Sequence, residues 1–434
     1  MVERYKFYTR LFFGAMWVLL CYGFVRDEFI PALAGLQPFA NLLCDIVFLF
    51  LGIVTLRSRR DIFMVVSFLF IALISKYLNH QGMSEWLNGM REYIGLLFTI
   101  PFIRYMMARD DYAERFTRSM DRQFLIFLYI QAVCLVWQVI RYGAGDEGGG
   151  SMGYGHSGIV STLIYVISFY LITKHWNEEE TYIENLKANR QYILLLLPTF
   201  LNETKISFVY LLAYFVLLMK IDRKIVLRFI LAVPLFLLAF VVLGWVYLTV
   251  SEQKAERLLS EKFYTDYFIG EDIYDLAKLS MLVDQGDIET DNIWVVDLPR
   301  LGRFVFLPEA MQASGGGMML GAGVGQFKGN NYFSKSAFSR KYAWLLNGST
   351  PLTFAWLVQL GIVGMIWFFV DVLTAMFTPN RAPLARNLRL YLLMVLGLIL
   401  IYQDQFRLVY YCAIIFYIYL EGLQPEYRKL NSES

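Results

Sequence analysis

Two apolar runs joined by a short basic connection occupy residues 37–78, which read QPFANLLCDIVFLFLGIVTLRSRRDIFMVVSFLFIALISKYL. A helix that crosses the hydrocarbon core of a bilayer needs about 20 predominantly apolar residues, and each run approaches that length. The connection contains Arg57, Arg59 and Arg60, and an excess of arginine and lysine is typical of cytoplasmic connections. This part of the chain therefore predicts a pair of membrane-spanning helices joined in the cytoplasm.

The rest of the chain repeats the pattern. Of its 434 residues 57% are hydrophobic and only 18% are charged, whereas about a quarter of a soluble domain is charged. We predict an all-α integral membrane protein with about twelve spanning helices. The predicted spans lie near residues 11–25, 37–55, 62–78, 92–107, 122–141, 158–174, 191–201, 204–220, 226–250, 350–378, 390–402 and 406–421.

Alternate connections between these spans differ in charge, which predicts their sides of the membrane. The connections rich in arginine and lysine lie at 57–60, 109–122, 220–228 and 381–389, and those poor in both lie at 79–88, 143–158, 202–204 and 403–405. Both termini are then cytoplasmic. The chain divides into nine spans in 1–250, a large outward loop in 251–349, and three spans with a cytoplasmic tail in 350–434.

Several classes of function have no support in the composition. The net charge of +2 and the lack of a basic tail argue against nucleic-acid binding. All four cysteines lie in apolar runs and none forms a CxxC pair, so we expect buried thiols rather than disulfides or zinc. No spacing of His, Cys, Asp or Glu suggests a metal site, and we expect no metal and no cofactor.

The large loop has two halves of opposite charge. From residue 251 to 299 twelve acidic residues face four basic ones, whereas from 300 to 349 six basic residues face only Glu309. The basic half also contains the glycine run Gly321-Ala322-Gly323-Val324-Gly325. Fixed cations and exposed backbone amides suit a phosphate ligand. No Gly-Lys-Ser/Thr follows the run, so it is not a P-loop.

Four segments, taken in order, resemble one family of bacterial membrane enzymes. They are Gly153-Tyr154-Gly155-His156-Ser157-Gly158 before a span, the interrupted stretch 194–207 with Lys205, Arg300-Leu301-Gly302-Arg303 followed by the glycine run and Phe327, and Trp356 to Gly364 in the span after the loop. With the number of spans and the place of the loop, they resemble the O-antigen polymerase and O-antigen ligase superfamily of membrane glycosyltransferases.

The resemblance implies a GT-C-like fold in the bacterial inner membrane, with the large loop in the periplasm. It implies transfer of an oligosaccharide from undecaprenyl diphosphate. The leading hypothesis is a polymerase that extends a lipid-linked repeat unit of O-antigen, capsule or exopolysaccharide. Membrane lipids, a flippase and a chain-length regulator are the further partners it suggests. A ligase acting on lipid A core or protein and a lipid-linked sugar transporter are the alternatives.

Five residues are candidates for the chemistry that the resemblance implies. Breaking the bond between sugar and diphosphate adds negative charge to the diphosphate, and preorganised cations stabilise such charge. Arg303 is the first candidate, followed by Arg300 and Lys205. The acceptor hydroxyl needs a general base, for which His156 and Glu309 are the candidates.

Five further residues are candidates for substrate binding. Arg91 and Arg407 begin spans on the side that is poor in basic residues, where an anionic headgroup or diphosphate could bind them. Arg340, Gly323 and Gly325 belong to the basic, glycine-rich half of the loop.

Two positions depart from the family pattern. Lys205 stands where the family most often has arginine, and lysine keeps the charge but loses the bidentate geometry. Ligases of the family carry a histidine just before the span after the loop, whereas this chain reads Gly348-Ser349-Thr350-Pro351. This difference favours a polymerase over a ligase. The lack of internal repeats in the sequence and the long loop argue against a transporter.

Overall fold

The chain is all helical in every part that its structure, a computed structural model, describes. The described residues are 2–108, 110–143, 148–177, 179–202, 210–211, 213, 300–326, 337–346, 350–373, 383–403 and 405–421. Among them there is no β-strand, so the predicted all-α class is confirmed. The acidic half of the loop and the predicted spans 204–220 and 226–250 lie outside or almost outside these ranges.

Within the described ranges, nine helices of thirteen residues or more form a bundle. They are α1 (Val2–Glu28), α2 (Gln37–Thr55), α3 (Arg59–Leu78), α5 (Ile94–Met107), α6 (Asp110–Tyr142), α7 (Ser157–Lys174), α13 (Leu352–Trp367), α14 (Pro383–Tyr402) and α15 (Val409–Glu421). Shorter helices lie between them: α4 (Met83–Met90), α8 (Tyr182–Ala188), α9 (Arg190–Leu194), α10 (Leu307–Gln312), α11 (Gly317–Leu320) and α12 (Ala337–Tyr342).

Six described segments are long and apolar enough to cross a membrane. They are Glu3–Glu28, Pro31–Thr55, Arg59–Leu78, Tyr112–Tyr142, Ser157–Lys174 and Leu352–Val370. Leu388–Tyr402 and Val409–Leu420 are apolar but shorter. The prediction of a helical membrane protein is therefore supported by length and composition, whereas the number of twelve spans stays a prediction.

Several helices extend beyond their predicted spans, as α1 and α14 do, and two spans differ in a way that changes their interpretation. Helix α6 begins at Asp110, so the charged stretch before residue 122 continues the helix instead of forming a loop. The predicted seventh span, 191–201, is not one helix. It contains the five residues of α9 and then the 3-10 helix Leu197–Asn202. Five α-helical residues rise only about 7.5 Å, too little to cross a bilayer.

The centre of the bundle is formed by α5, α7 and α15. Nearly all of their side chains are buried, including Tyr165 and Tyr411, as expected of helices that are apolar on every face. Helices α5 and α15 approach closely at Gly95, where a Cβ atom would lie 2.7 Å from the Cα atom of Val409. Small residues allow such close approach in membrane proteins.

The outer helices bury one face and expose another that is also apolar. On α2 and α3, Phe48 and Phe68 are buried, whereas Leu43 and Phe70 are each 64% exposed. A soluble protein rarely leaves such large contiguous apolar surfaces in water. These faces therefore suit contact with lipid.

Candidate anion site at one end of the helix bundle

Connections that the charge pattern assigned to one side of the membrane lie together at one end of the bundle. Asn79 Nδ2 donates to the Gly321 carbonyl at 2.9 Å, which joins the connection after α3 to the large loop. Gly158, at the start of α7, lies against the side chain of Gln403. The Gln403 carbonyl accepts from the Leu352 amide at 3.0 Å. The contacts agree with the predicted grouping, and which side of a membrane this end faces stays a prediction.

Arg303 is completely buried at this end. It lies in the 3-10 helix Gly302–Phe306, which leads directly into α10. Its Nη1 atom donates to the Leu345 carbonyl at 2.7 Å and to Thr350 Oγ1 at 2.8 Å. The guanidinium group thus ties the loop to the turn that precedes α13. Arg303 is therefore not a surface residue of the loop.

Arg300 lies one turn earlier and is also largely buried. Its Nε atom donates to the Tyr402 carbonyl at 3.0 Å. Its guanidinium carbon lies 3.9 Å from the centre of the Tyr402 ring, within the range of a cation–π contact. Arg300 therefore joins the same loop to the end of α14.

The N-termini of two long helices lie beside Gln403, the residue that follows Tyr402. Helices α7 and α13 both begin beside Gln403, and neither has a side-chain N-cap hydrogen bond. The first turn of a helix presents unpaired amides and a partial positive charge, which favours anions. We call Arg300, Arg303, Thr350, Tyr402 and Gln403 the loop cluster. Arg300 and Arg303 join this cluster through Tyr402 and Thr350, and the two helix N-termini join it through Gln403. Cations and helix N-termini in one cluster suit an anionic ligand.

His156 is the N-cap residue of α7. Its Nδ1 atom lies 2.9 Å from the Tyr154 carbonyl, and because a carbonyl only accepts, this nitrogen carries the hydrogen. The neutral ring then has Nε2 as its proton acceptor. Burial lowers the pKa of His156 below its ordinary value, and the nearby Arg26 guanidinium lowers it further. The neutral form, the one able to act as a base, is therefore favoured.

Arg91 and Arg407 are held by carboxylates from other parts of the bundle. Arg91 Nε donates to Asp45 Oδ2 at 2.7 Å, and Arg407 Nε donates to Glu92 Oε2 at 2.9 Å. Glu92 also accepts from Gln359 Nε2 at 3.3 Å. We call Asp45, Arg91, Glu92, Gln359 and Arg407 the helix cluster. Both arginines thus join helices, and a role for them in substrate binding stays a prediction.

The glycine run packs against backbone in this arrangement. The Gly323 amide donates to the Gln359 carbonyl at 3.0 Å. Its φ of +100° is one that favours glycine, and a Cβ atom there would lie 2.7 Å from Gln81 Oε1. A Cβ atom on Gly325, which has a φ of +88°, would lie 2.8 Å from the Gly89 Cα atom. These contacts explain why glycine stands at both positions without any ligand. Their predicted role in phosphate binding stays untested.

Two of the remaining candidates, Glu309 and Arg340, belong to described helices, and the third does not. Glu309 accepts from the Tyr342 hydroxyl at 3.2 Å and lies 3.8 Å from Lys341 Nζ. Arg340 belongs to α12. Lys205 falls outside the described residues. Within the described ranges, no three or more His, Cys, Asp or Glu side chains are grouped to hold a metal ion.

Sequence reasoning missed the partners of the two arginines. Thr350 and Tyr402 carry no charge and no motif, so only their neighbours in the sequence gave a signal. Thr350 lies in the short polar stretch where the resembled ligases have histidine, and Tyr402 precedes the polar connection 403–405. The signal for both partners in the sequence is that each lies in or beside a short polar stretch that separates two apolar runs.

Comparison of the chain with protein-family models, curated proteins and solved structures finds no match.

Proposed function

We propose that this chain is a membrane glycosyltransferase of the polysaccharide-polymerase type. It transfers a glycan from undecaprenyl diphosphate onto a lipid-linked repeat unit at the outer face of the bacterial inner membrane. The proposal includes about twelve spans, cytoplasmic termini and a periplasmic loop at 251–349. It rests on the family resemblance of the sequence together with the anion-favouring end of the bundle.

The observation that carries the proposal is the convergence of Arg300, Arg303 and the N-termini of α7 and α13. When the glycosidic bond to the carrier breaks, the departing diphosphate gains negative charge. Preorganised donors stabilise this charge without reorganising during the reaction. Arg303 has no exposed surface, so in this mechanism the turn containing Leu345 moves as the donor binds, before the bond breaks, and both arginines are then held in place during the reaction. Arg300, at the edge of the loop cluster, meets the diphosphate first.

His156 is the base that the geometry favours for the acceptor hydroxyl. It is the N-cap residue of α7, two residues before Gly158, which lies against Gln403, and its lowered pKa favours the neutral form. Glu309 instead accepts from Tyr342 and faces Lys341, so its carboxylate is already engaged. In the proposed reaction the acceptor hydroxyl loses its proton to His156 Nε2, its oxygen attacks the anomeric carbon, and undecaprenyl diphosphate leaves.

One contact favours a polymerase over a ligase. Thr350 lies in the stretch where the resembled ligases carry their histidine, and here its hydroxyl accepts a hydrogen bond from Arg303. A threonine hydroxyl is a poor general base, so this position orients the arginine instead of activating an acceptor. The ligase and the lipid-linked sugar transporter remain the alternatives that the experiment must separate.

The carrier-lipid glycans of a strain that lacks the gene distinguish a polymerase from a ligase, and an assay in vesicles distinguishes a polymerase from a transporter. We expect single repeat units on undecaprenyl diphosphate, with the phenotype restored by the wild-type gene. Long chains accumulating on the carrier would indicate a ligase. To test the transporter, the purified protein is placed in vesicles with the lipid-linked glycan. A polymerase should lengthen the glycan there. Movement of the lipid across the vesicle without any lengthening would indicate a transporter.

A further inference from the structure

Helix α13 is interrupted in its interior at Gly361. This residue has a φ of +66° and a ψ of −166°, far from helical values. The carbonyls of Val358 and Gln359 accept hydrogen bonds from the amides of Ala322 and Gly323 at 2.8 and 3.0 Å. Amides of the large loop thus satisfy carbonyls at the helix break.

The same part of the loop is anchored to α3 and the connection after it. The Leu320 carbonyl accepts from Ser75 Oγ at 2.7 Å, and the Gly316 amide donates to Asn79 Oδ1 at 3.2 Å. Gln81 Nε2 donates to the Val324 carbonyl. Residues 315–326 therefore lie between α3 and the break in α13, with backbone groups satisfied by protein.

The break lies deep within α13. Gly361 follows Leu352, the first residue of the helix, by nine positions, which corresponds to about 13 Å along a helix axis. The hydrocarbon core of a bilayer is about 30 Å thick. A loop segment that reaches Gly361 therefore extends below the membrane surface. Non-helical backbone is tolerated at such depth where protein covers its polar groups.

The composition of the segment fits that depth. Residues 310–326 contain no Asp, Glu, Lys or Arg. Met319 is 61% exposed, and Met318 is also exposed. The Met319 carbonyl lies 2.3 Å from where a Cβ atom on Gly361 would be. The exposed Ile362 and Ile366 follow on the apolar outer surface of α13.

We propose that residues 315–326 are a re-entrant segment that enters the membrane from the loop side. In this arrangement Met318 and Met319 contact the acyl chains of that leaflet and extend the lipid-facing surface of α13. The large loop is thus partly a membrane-embedded element. This inference rests on membrane insertion of the chain and is independent of glycosyl transfer.

Labelling of single introduced cysteines tests the proposal in native membranes. Met319→Cys is compared with Ala313→Cys, which lies on the same loop and is also exposed. A membrane-impermeant maleimide should label Ala313→Cys in vesicles open to the loop side. Met319→Cys should remain unlabelled there and become labelled in detergent. The wild-type chain measures the background from its own cysteines, three of which are buried.

Two results would overturn the re-entrant segment. One is equal labelling of Met319→Cys and Ala313→Cys in vesicles, which would place Met319 in water. The other is no labelling of Met319→Cys in detergent, which would mean that protein and not lipid covers it. As an independent readout, a fluorophore attached at Met319→Cys in detergent and reconstituted into brominated phosphatidylcholine should be quenched, whereas the same fluorophore at Ala313→Cys should not.

Discussion

The loop cluster and the helix cluster use arginine in different ways. In the helix cluster, Arg91 and Arg407 contact the carboxylates of Asp45 and Glu92 and thereby join separate helices. In the loop cluster, Arg300 and Arg303 contact carbonyls, a hydroxyl and an aromatic ring at the ends of helices. We infer that the first cluster stabilises the bundle, and that the second is the place where an anionic substrate reacts. Substitutions should therefore separate stability from activity.

The largest effect is expected at His156, two residues before Gly158, which lies against Gln403 of the loop cluster. His156→Gln should slow chain elongation by about 10²–10⁴-fold, the usual contribution of a positioned general base. Wild-type activity should fall as pH decreases through the pKa of His156, because protonation removes the base. Since this pKa is lowered, the fall should occur below about pH 6.5, the ordinary value. A pH–rate profile with its acidic fall unchanged in the variant would exclude His156.

In the helix cluster the expected loss is one of stability. Arg407→Leu leaves Glu92 buried without its cation, and breaking a buried ion pair costs about 3–5 kcal/mol, here reduced because Arg407 is 17% exposed. Thermal unfolding in detergent should shift to lower temperature. Pairing the substitution with Glu92→Leu should recover much of the loss. If Arg407→Leu keeps wild-type stability but abolishes elongation, then Arg407 belongs to the reaction instead.

The packing of the loop at the break in α13 can be tested by comparing alanine substitutions at two glycines. Gly361→Ala introduces a Cβ atom at a positive φ and 2.3 Å from the Met319 carbonyl. We expect a loss of about 1–3 kcal/mol, typical of overpacking and strain, measured by thermal unfolding. Gly397→Ala is the control, because a Cβ atom there has no neighbour within 4 Å. Equal stability of the two variants would contradict the described packing of the loop on α13.

The smallest effect is expected at Arg91. Its side chain is 29% exposed beside Asp45, so solvent screens the pair and its contribution should be about 1 kcal/mol or less. Arg91→Gln should therefore change thermal stability slightly and leave the elongation rate within a few-fold of wild type. A loss of elongation as large as that of an arginine in the loop cluster would give Arg91 a role in substrate binding.

The apolar runs predicted the main helices because hydropathy alone identifies segments that must avoid water. They did not predict the break at Gly361, since average hydropathy is insensitive to a single backbone torsion angle. The apolar pattern places the start of α6 too late, because charged residues such as Glu114 and Arg118 can pair along one helix and continue it. The candidate arginines could be chosen from charge and position. Their partners could not, because Asp45 and Arg91 are 46 positions apart and meet only in the folded chain.

The most direct test of the account is elongation of a lipid-linked repeat unit in vitro by Arg303→Ala at matched protein levels. Arg118→Ala is the control, since Arg118 is exposed on α6 and pairs with Glu114 one turn away. We expect Arg303→Ala to retain membrane insertion and to elongate about 10²–10³-fold more slowly, the usual loss for one such donor, with Arg303→Lys in between. Elongation by Arg303→Ala at the rate of Arg118→Ala would remove Arg303 from the reaction and contradict the account.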